Sequence, residues 1–174
     1  YLKAQEVYTD GINLYKSENK RSNLEGDENI GKLYASMGDI EYFISGDMDA
    51  ALENYDTSIR IKNDTPSLNY RIGVIRYGKQ EYDKALASFI KANEVIDSDE
   101  NLLLSLGNVL SLRGDNFAAQ GYYTHLLNLL DQEKARHLML FPQDREDDNN
   151  LVDLYLKASN NLGVTLYRIA RQTG

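Results

Sequence analysis

Small and apolar residues recur along this chain with a period of about 34 residues, and this period sharply limits the folds that the chain can adopt. Gly73 precedes Gly107 by one such period. The other pairs that keep the same offset are Ile72 with Leu106, Ala85 with Ala119, Phe89 with Tyr123, and Val95 with Leu129. Ala51 and Tyr55 stand one further period before Ala85 and Phe89, so the unit occurs at least three times.

Within one unit, the spacing of these residues is helical. Tyr82, Ala85, Phe89 and Ala92 follow one another at three- and four-residue steps, which places them on one face of an α-helix where bulky and small side chains alternate. A single helix pair cannot bury both of its apolar faces, so neighbouring pairs must stack. We therefore predict an all-α fold with helices near 1–17, 24–45, 48–62, 67–78, 81–96, 100–112, 116–139 and 150–172.

This pattern resembles the tetratricopeptide repeat, a helix-turn-helix unit of about 34 residues with a small residue inside each helix and an aromatic residue in the second. Residues 66–99 and 100–133 carry it best, whereas residues 32–65 match in their second half and have Asp39 where the first-helix glycine is expected. The resemblance implies a right-handed α-solenoid of stacked antiparallel helix pairs, in which Gly73 and Gly107 allow close helix approach.

The resemblance also implies an organisation for the whole chain, as a single solenoid fragment of a longer protein. Residues 1–31 would hold a second helix, with Ala4 and Tyr8 in register, followed by a long linker. Three repeats at 32–65, 66–99 and 100–133 precede an insertion at 134–149, and residues 150–174 would form the first helix of a further repeat. Thr65 and Pro66 are a capping residue and a first-turn proline, which predict a helix start there.

The composition argues against several classes of function. With 19 basic and 27 acidic residues the net charge is −8, so the chain as a whole repels nucleic acid. No apolar run reaches the roughly 20 residues of a membrane span, and no cysteine is present. His125 and His137 lie three turns apart on one predicted helix, too far to share a metal. We therefore expect no enzyme activity, no cofactor, no metal and no membrane insertion.

The acidic segment at 144–148 is the one stretch that suggests a calcium loop. Asp144, Glu146 and Asp148 alternate, but the sixth position of an EF-hand loop requires glycine and is Asn149 here, and the twelfth requires Glu and is Tyr155. We interpret the segment as a solvated loop.

The remaining hypothesis is a surface for another protein or peptide. In tetratricopeptide repeat proteins, fixed positions of each first helix line a concave face that binds peptides. Carried over by register, the expected partner-binding residues are Phe43, Tyr70, Val74, Tyr77, Asn101, Leu104, Asn108, Ser111, Asn160 and Tyr167. Packing between repeats is the competing interpretation for Phe43, Tyr77 and Tyr167.

Two alternatives bear on the kind of partner. Some members of the family clamp a chaperone C-terminal carboxylate with lysine at the fifth and asparagine at the ninth position of a repeat. Here Tyr70 and Leu104 occupy the fifth positions and Val74 and Asn108 the ninth, so only Asn108 matches and we do not expect such a clamp. The rival function is a structural assembly element that forms homo-oligomers or packs with other subunits through exposed end helices.

Overall fold

The computed structural model describes residues 2–18, 28–140 and 149–174, and these ranges contain helices and no strand. The helices are α1 (Leu2–Glu18), α2 (Glu28–Ile40), a π-helical turn (Glu41–Ser45), α3 (Met48–Arg60), α4 (Pro66–Gly78), α5 (Tyr82–Asn93), α6 (Glu100–Arg113), α7 (Asn116–Leu140) and α8 (Asn149–Thr173). Their bounds agree with the predicted helices to within a few residues. The predicted loop at 144–148 and the predicted helix start at 24–27 lie outside the described residues.

A left-handed residue ends the first helix of each repeat. Gly46, Gln80 and Gly114 have φ angles of 70°, 62° and 88°, and each stands one repeat period after the one before it. A left-handed residue reverses the chain within a few residues, so the next helix begins almost at once. Asp47 then caps α3 by accepting a 2.9 Å hydrogen bond from the Ala50 amide. The turn geometry therefore repeats with the sequence period.

The chain divides into two compact units, Tyr1–Ile75 and Arg76–Gly174. In the first unit, α2 and α3 form an antiparallel pair, and the buried residues Ala51, Tyr55, Leu68, Ile72 and Ile75 make its apolar core. α4 begins at Pro66, where the Thr65 hydroxyl accepts a 3.3 Å hydrogen bond from the Leu68 amide, so the predicted cap is confirmed.

Gly38 allows the Tyr55 ring of α3 to approach α2 closely, and it stands one position before Asp39, where the glycine was expected. A Cβ atom on Gly38 would lie 2.5 Å from the Tyr55 ring. Tyr55 is the seventeenth residue after Gly38, whereas Tyr123 is the sixteenth after Gly107. The π-helical turn accounts for the difference, because the Gly46 amide donates to the Glu41 carbonyl five positions earlier and the turn therefore takes up one extra residue.

In the second unit, α6, α7 and α8 pack around the buried residues Leu103, Leu126, Leu130, Leu154 and Ala158. Gly107 is the point of close approach between α6 and α7, since an added Cβ would overlap the Tyr123 ring. Asp99 caps α6 through a 2.8 Å bond from the Leu102 amide. The side chains of residues 131–136 on the extended end of α7 are all exposed.

Candidate functional site

Asn108 joins three helices of the second unit. Its Oδ1 atom accepts a 2.8 Å hydrogen bond from the Tyr123 hydroxyl on α7 and another 2.8 Å bond from Asn161 Nδ2 on α8. Both bonds use the carbonyl oxygen of the amide. In the described part of the chain the Nδ2 group of Asn108 makes no hydrogen bond, so its two N–H donors remain for a ligand.

Two arginines of α8 extend this arrangement toward the C-terminal end of α6. Arg168 donates from Nη1 to Ser111 Oγ at 2.8 Å and to the Ser111 carbonyl at 3.2 Å. The Arg171 guanidinium lies 6.0 Å from the centre of the exposed Tyr167 ring. Neither arginine pairs with a carboxylate among the residues that the structure describes, so both charges are held by neutral groups.

The first unit contains a charged version of the same arrangement. The Tyr55 hydroxyl donates a 2.7 Å hydrogen bond to Asp39 Oδ1, which also accepts from Arg71 Nη1 at 2.6 Å. Asp39 and Asn108 each directly follow a glycine that is covered by a tyrosine ring. The second partners also correspond, because Arg71 stands two positions before Gly73 and Asn161 two positions before Gly163. The Arg71 guanidinium also lies 6.0 Å from the Phe43 ring centre.

Both bridging tyrosines are held in the protonated form. Burial raises the pKa of Tyr55 well above its ordinary value, and the hydrogen bond to Asp39 adds to the rise. Burial likewise raises the pKa of Tyr123. Each phenol therefore acts as a fixed hydrogen-bond donor to the first-helix side chain.

The residues expected to bind a partner lie at helix positions that are exposed or half-buried. Asn101, Asn160, Phe43 and Tyr167 are exposed, and the half-buried ones are Tyr70, Val74, Tyr77, Leu104, Asn108 and Ser111. Phe43 and Tyr167 keep 66% and 64% of their surface accessible, which disfavours the packing interpretation for them. Tyr77 is different, because its ring meets Tyr82 edge to face at 5.8 Å and burial raises its pKa.

Sequence reasoning missed four polar residues of these arrangements: Asp39, Arg71, Asn161 and Arg168. A signal was present for two of them, since Arg71 and Asn161 share a place in the register. In residues 2–18, 28–140 and 149–174, no three His, Asp or Glu side chains are grouped so that they could hold a metal ion. No helix in these ranges is long and apolar enough to cross a membrane.

Comparisons with known proteins identify the fold. No protein-family model matches the chain, and no curated protein matches it significantly. Solved structures do match. The first TPR of Spaghetti (RPAP3), bound to the HSP90 peptide SRMEEVD, has a TM-score of 0.61 and 16% identity, over 85% of this chain and 99% of that one.

Two further structures support the same assignment. The Sgt2 TPR domain from Aspergillus fumigatus has a TM-score of 0.57 and 13% identity, over 86% of this chain and 85% of that one. YrrB, described as a TPR protein with an unusual peptide-binding site, has a TM-score of 0.53 and 15% identity. The match covers 92% of this chain and 89% of YrrB. The predicted all-α solenoid of helix pairs is confirmed, and the chain has the tetratricopeptide repeat fold.

Proposed function

We propose that this chain is a non-enzymatic scaffold that binds an extended peptide of a partner protein on one surface of its second unit. The α6–α8 surface is defined by Asn101, Leu104, Asn108, Ser111, Asn160, Val164 and Tyr167. The members on α6 are three or four positions apart, as are those on α8, so each set lies on one helix face. The contact between Asn108 and Asn161 joins the two faces.

The observation that carries this proposal is the orientation of the Asn108 amide. Because its oxygen already accepts from Tyr123 and Asn161, its NH2 group offers donors to an incoming carbonyl or carboxylate. Tyr167 adds rigid apolar area at low entropic cost. A peptide backbone has the complementary acceptors along its length.

The charge of the surface favours an acidic peptide. Arg168 and Arg171 border it, and between Leu154 and Gly174 the sequence has no Asp or Glu. This basic segment stands out in a chain of net charge −8. Coulomb attraction should therefore select peptides with Asp or Glu, and the binding should weaken with added salt.

The structural neighbours support a peptide ligand but do not specify it. Spaghetti is bound to an HSP90 peptide that ends in EEVD, and YrrB is described by its peptide-binding site. Here Leu104 occupies the position where the carboxylate-clamping members of this family have lysine. We therefore propose that acidic side chains, and not a free C-terminus, are recognised.

The test is selection from a displayed library of random peptides, followed by calorimetry of the enriched sequences. A triple variant of exposed residues, Asn101→Ala, Tyr167→Ala and Arg168→Ala, should weaken their binding at least tenfold. The matched control changes three exposed residues of α7, Thr124→Ala, His125→Ala and Asn128→Ala, and should leave binding unchanged.

Two results would contradict the proposal. Equal binding by the triple variant would remove the α6–α8 surface as the site. A preference for lysine-rich sequences would remove the electrostatic argument. Binding that disappears when the peptide C-terminus is amidated would instead show that the terminal carboxylate is recognised.

Structural assembly is the second candidate function. Val7 and Leu14 lie seven positions apart on one face of α1, and they keep 59% and 60% of their surface accessible. An apolar helix face of this kind favours association with another helix. Sedimentation measures the mass of the protein at increasing concentration. A mass that stays that of a monomer would contradict this function. A mass that rises with concentration, and no longer rises in the Val7→Glu variant, would support it.

A further inference from the structure

The Asp39–Arg71 pair of the first unit keeps unused hydrogen-bonding groups of both kinds. Asp39 Oδ1 accepts from the Tyr55 hydroxyl at 2.7 Å and from Arg71 Nη1 at 2.6 Å. Within the part of the chain that the structure describes, Asp39 Oδ2 accepts no hydrogen bond, and the Nη2 and Nε groups of Arg71 donate none. Asp39 keeps 34% of its side-chain surface accessible and Arg71 keeps 33%. A ligand can therefore reach one acceptor and several donors at the same place.

The phenol of Tyr55 fixes which oxygen of Asp39 is left for a ligand. Tyr55 is completely buried, and its ring lies against Gly38, the residue before Asp39. Packing on all sides keeps the hydroxyl directed at Oδ1. Arg71 shares that oxygen, which has two lone pairs and is thereby saturated. The acceptor that remains is Oδ2, on a carboxylate that α3 and α4 both hold in place.

An exposed aromatic ring borders the pair. Phe43 lies in the π-helical turn, and its ring centre is 6.0 Å from the Arg71 guanidinium. It keeps 66% of its surface accessible, yet the Tyr42 ring meets it edge to face at 4.7 Å and so orients it. A short aliphatic chain can pack on such a ring while its polar end reaches the ion pair. Single π-helical turns are frequent at functional sites.

The charges of the pair select a neutral ligand group. A cation attracted by Asp39 would be repelled by Arg71, and an anion would meet the reverse. The carboxylate of Glu41, two positions after Asp39, is occupied by a 2.7 Å hydrogen bond from Gln5 on α1. The group that fits has a donor and an acceptor side by side and no charge. A primary amide is such a group, because its oxygen accepts and its NH2 donates.

We propose that the Asp39–Arg71 pair is a binding site for the primary amide of a glutamine or asparagine side chain in a partner protein. The amide NH2 donates to Asp39 Oδ2, the amide oxygen accepts from Arg71, and the methylene groups pack on Phe43. This site uses residues of the first unit alone. It is separate from the α6–α8 surface and does not depend on the function proposed for that surface.

The second unit indicates how the preference of this site could be exchanged. There Asn108 takes the place of Asp39 beside a buried phenol, and its unused group is a donor instead of an acceptor. Asp39→Asn keeps an oxygen for Tyr55 and Arg71, puts an NH2 group where Oδ2 was, and leaves the charge of Arg71 unbalanced. An acidic side chain should then bind better than an amide.

The probe is a set of capped tripeptides with alanine on both sides of one variable residue, which is glutamine, asparagine, glutamate, lysine or methionine. The common backbone leaves the central side chain as the only difference, and methionine matches the length of glutamine without its amide. Each peptide is titrated into the isotope-labelled 174-residue chain and followed by NMR. The Arg71 Nε–H signal and the backbone amides of residues 39–43 report this site, so binding at the α6–α8 surface is not counted.

An amide peptide should bind about fivefold to tenfold more tightly than the methionine peptide, and also more tightly than the two charged peptides. The tighter of glutamine and asparagine identifies the side chain that is recognised. Asp39→Asn should turn the preference to glutamate, and Arg71→Met, which leaves the Asp39 charge unbalanced, should turn it to lysine. Phe43→Ala should weaken the amide peptides about threefold. The matched control, Glu53→Gln, removes a charge from the exposed face of α3 and should change nothing.

Three results would overturn the proposal. The first is that neither amide peptide shifts the Arg71 signal up to tens of millimolar. The second is that the methionine, glutamate or lysine peptide binds the original chain as tightly as both amide peptides do. The third is that Asp39→Asn and Arg71→Met, with helicity preserved by circular dichroism, keep the original order of affinities, in which case the ion pair serves only to join α2 and α4.

Discussion

The hydroxyl of Tyr123 donates to Asn108 Oδ1 at 2.8 Å, while its ring covers Gly107, the residue immediately before Asn108. One side chain therefore both fills the apolar contact between α6 and α7 and orients the Asn108 amide, which we propose as a peptide-binding group. Tyr55 does the same with Gly38 and Asp39 in the first unit. Packing and site geometry depend on each other at these two places.

Replacing Asn108 by leucine should destabilise the protein. The substitution removes the acceptor of Tyr123 and Asn161, and leaving a buried phenol unpaired costs about 1–3 kcal/mol. Urea unfolding of the two chains measures the loss. In a Tyr123→Phe background the same substitution should cost less, and Asn108→Asp, which keeps an acceptor as Asp39 does, should cost less than leucine. Equal costs in both backgrounds would show that the hydrogen bond is not the cause.

Gly107 and Gly121 should respond to alanine with opposite signs. At Gly107 the new methyl group would overlap the Tyr123 ring, so the helices must separate, at about 1–3 kcal/mol. Gly121 is exposed on α7 with open space, so alanine should stabilise the helix by about 0.5–1 kcal/mol. Thermal unfolding of both variants checks this, and a shift of the same sign for the two would contradict the packing argument.

Gln80→Gly should stabilise the protein by about 0.5–1 kcal/mol, because Gln80 holds a φ of 62° in the turn where Gly46 and Gly114 stand in the neighbouring repeats. A side chain in this conformation is strained, and glycine is not. The reverse substitution, Gly114→Gln, should lower the stability by a similar amount. Chemical denaturation measures both, and a stabilising Gly114→Gln would refute the explanation.

Stability should fall in alkaline solution because of Tyr55 and Tyr123. Burial raises the pKa of both phenols above the ordinary value of about 10, so the folded state retains protons that the unfolded state loses. Their contribution is complete below about pH 10 and is lost as the pH rises further. Urea unfolding near pH 9 and near pH 11 should show the decrease.

The control for the alkaline effect is the double variant Tyr55→Phe and Tyr123→Phe. It lacks both phenols, so its free energy of unfolding should change less between the two pH values than that of the original chain. Lysine titration contributes equally to both proteins and therefore does not affect the comparison. If the double variant loses as much stability as the original chain, the two tyrosines are not responsible.

Most of the helices could be predicted because helical periodicity is a local property. Ala85, Phe89 and Ala92 must share a helix face whatever surrounds them, and Thr65 with Pro66 marks a helix start by backbone chemistry alone. Asp39 shows where this reasoning fails. A fixed repeat period assumes α-helix throughout, whereas the π-helical turn takes up one extra residue and moves the close contact to Gly38.

The candidate site was predictable only in part. The register identified Asn108 and Tyr167 as first-helix residues of one kind, and the structure finds them half-buried and exposed, respectively. It did not indicate that Asn161 and Tyr123 would both bond to the same oxygen of Asn108, or that Arg168 would bind Ser111. These contacts join residues up to 57 positions apart, so no local pattern reports them.

The amino-acid order alone determined the helix pairs, their period and the small residues that let them approach, because these follow from backbone geometry and from side-chain size at neighbouring positions. The tertiary structure alone decided which polar groups use up their hydrogen bonds and which remain free to bind. Whether Asn108 has a free donor, or Asp39 has a free acceptor, depends on the helices that pack beside it. The packing of those helices brings together residues that are remote in the chain, and local sequence patterns do not encode such contacts.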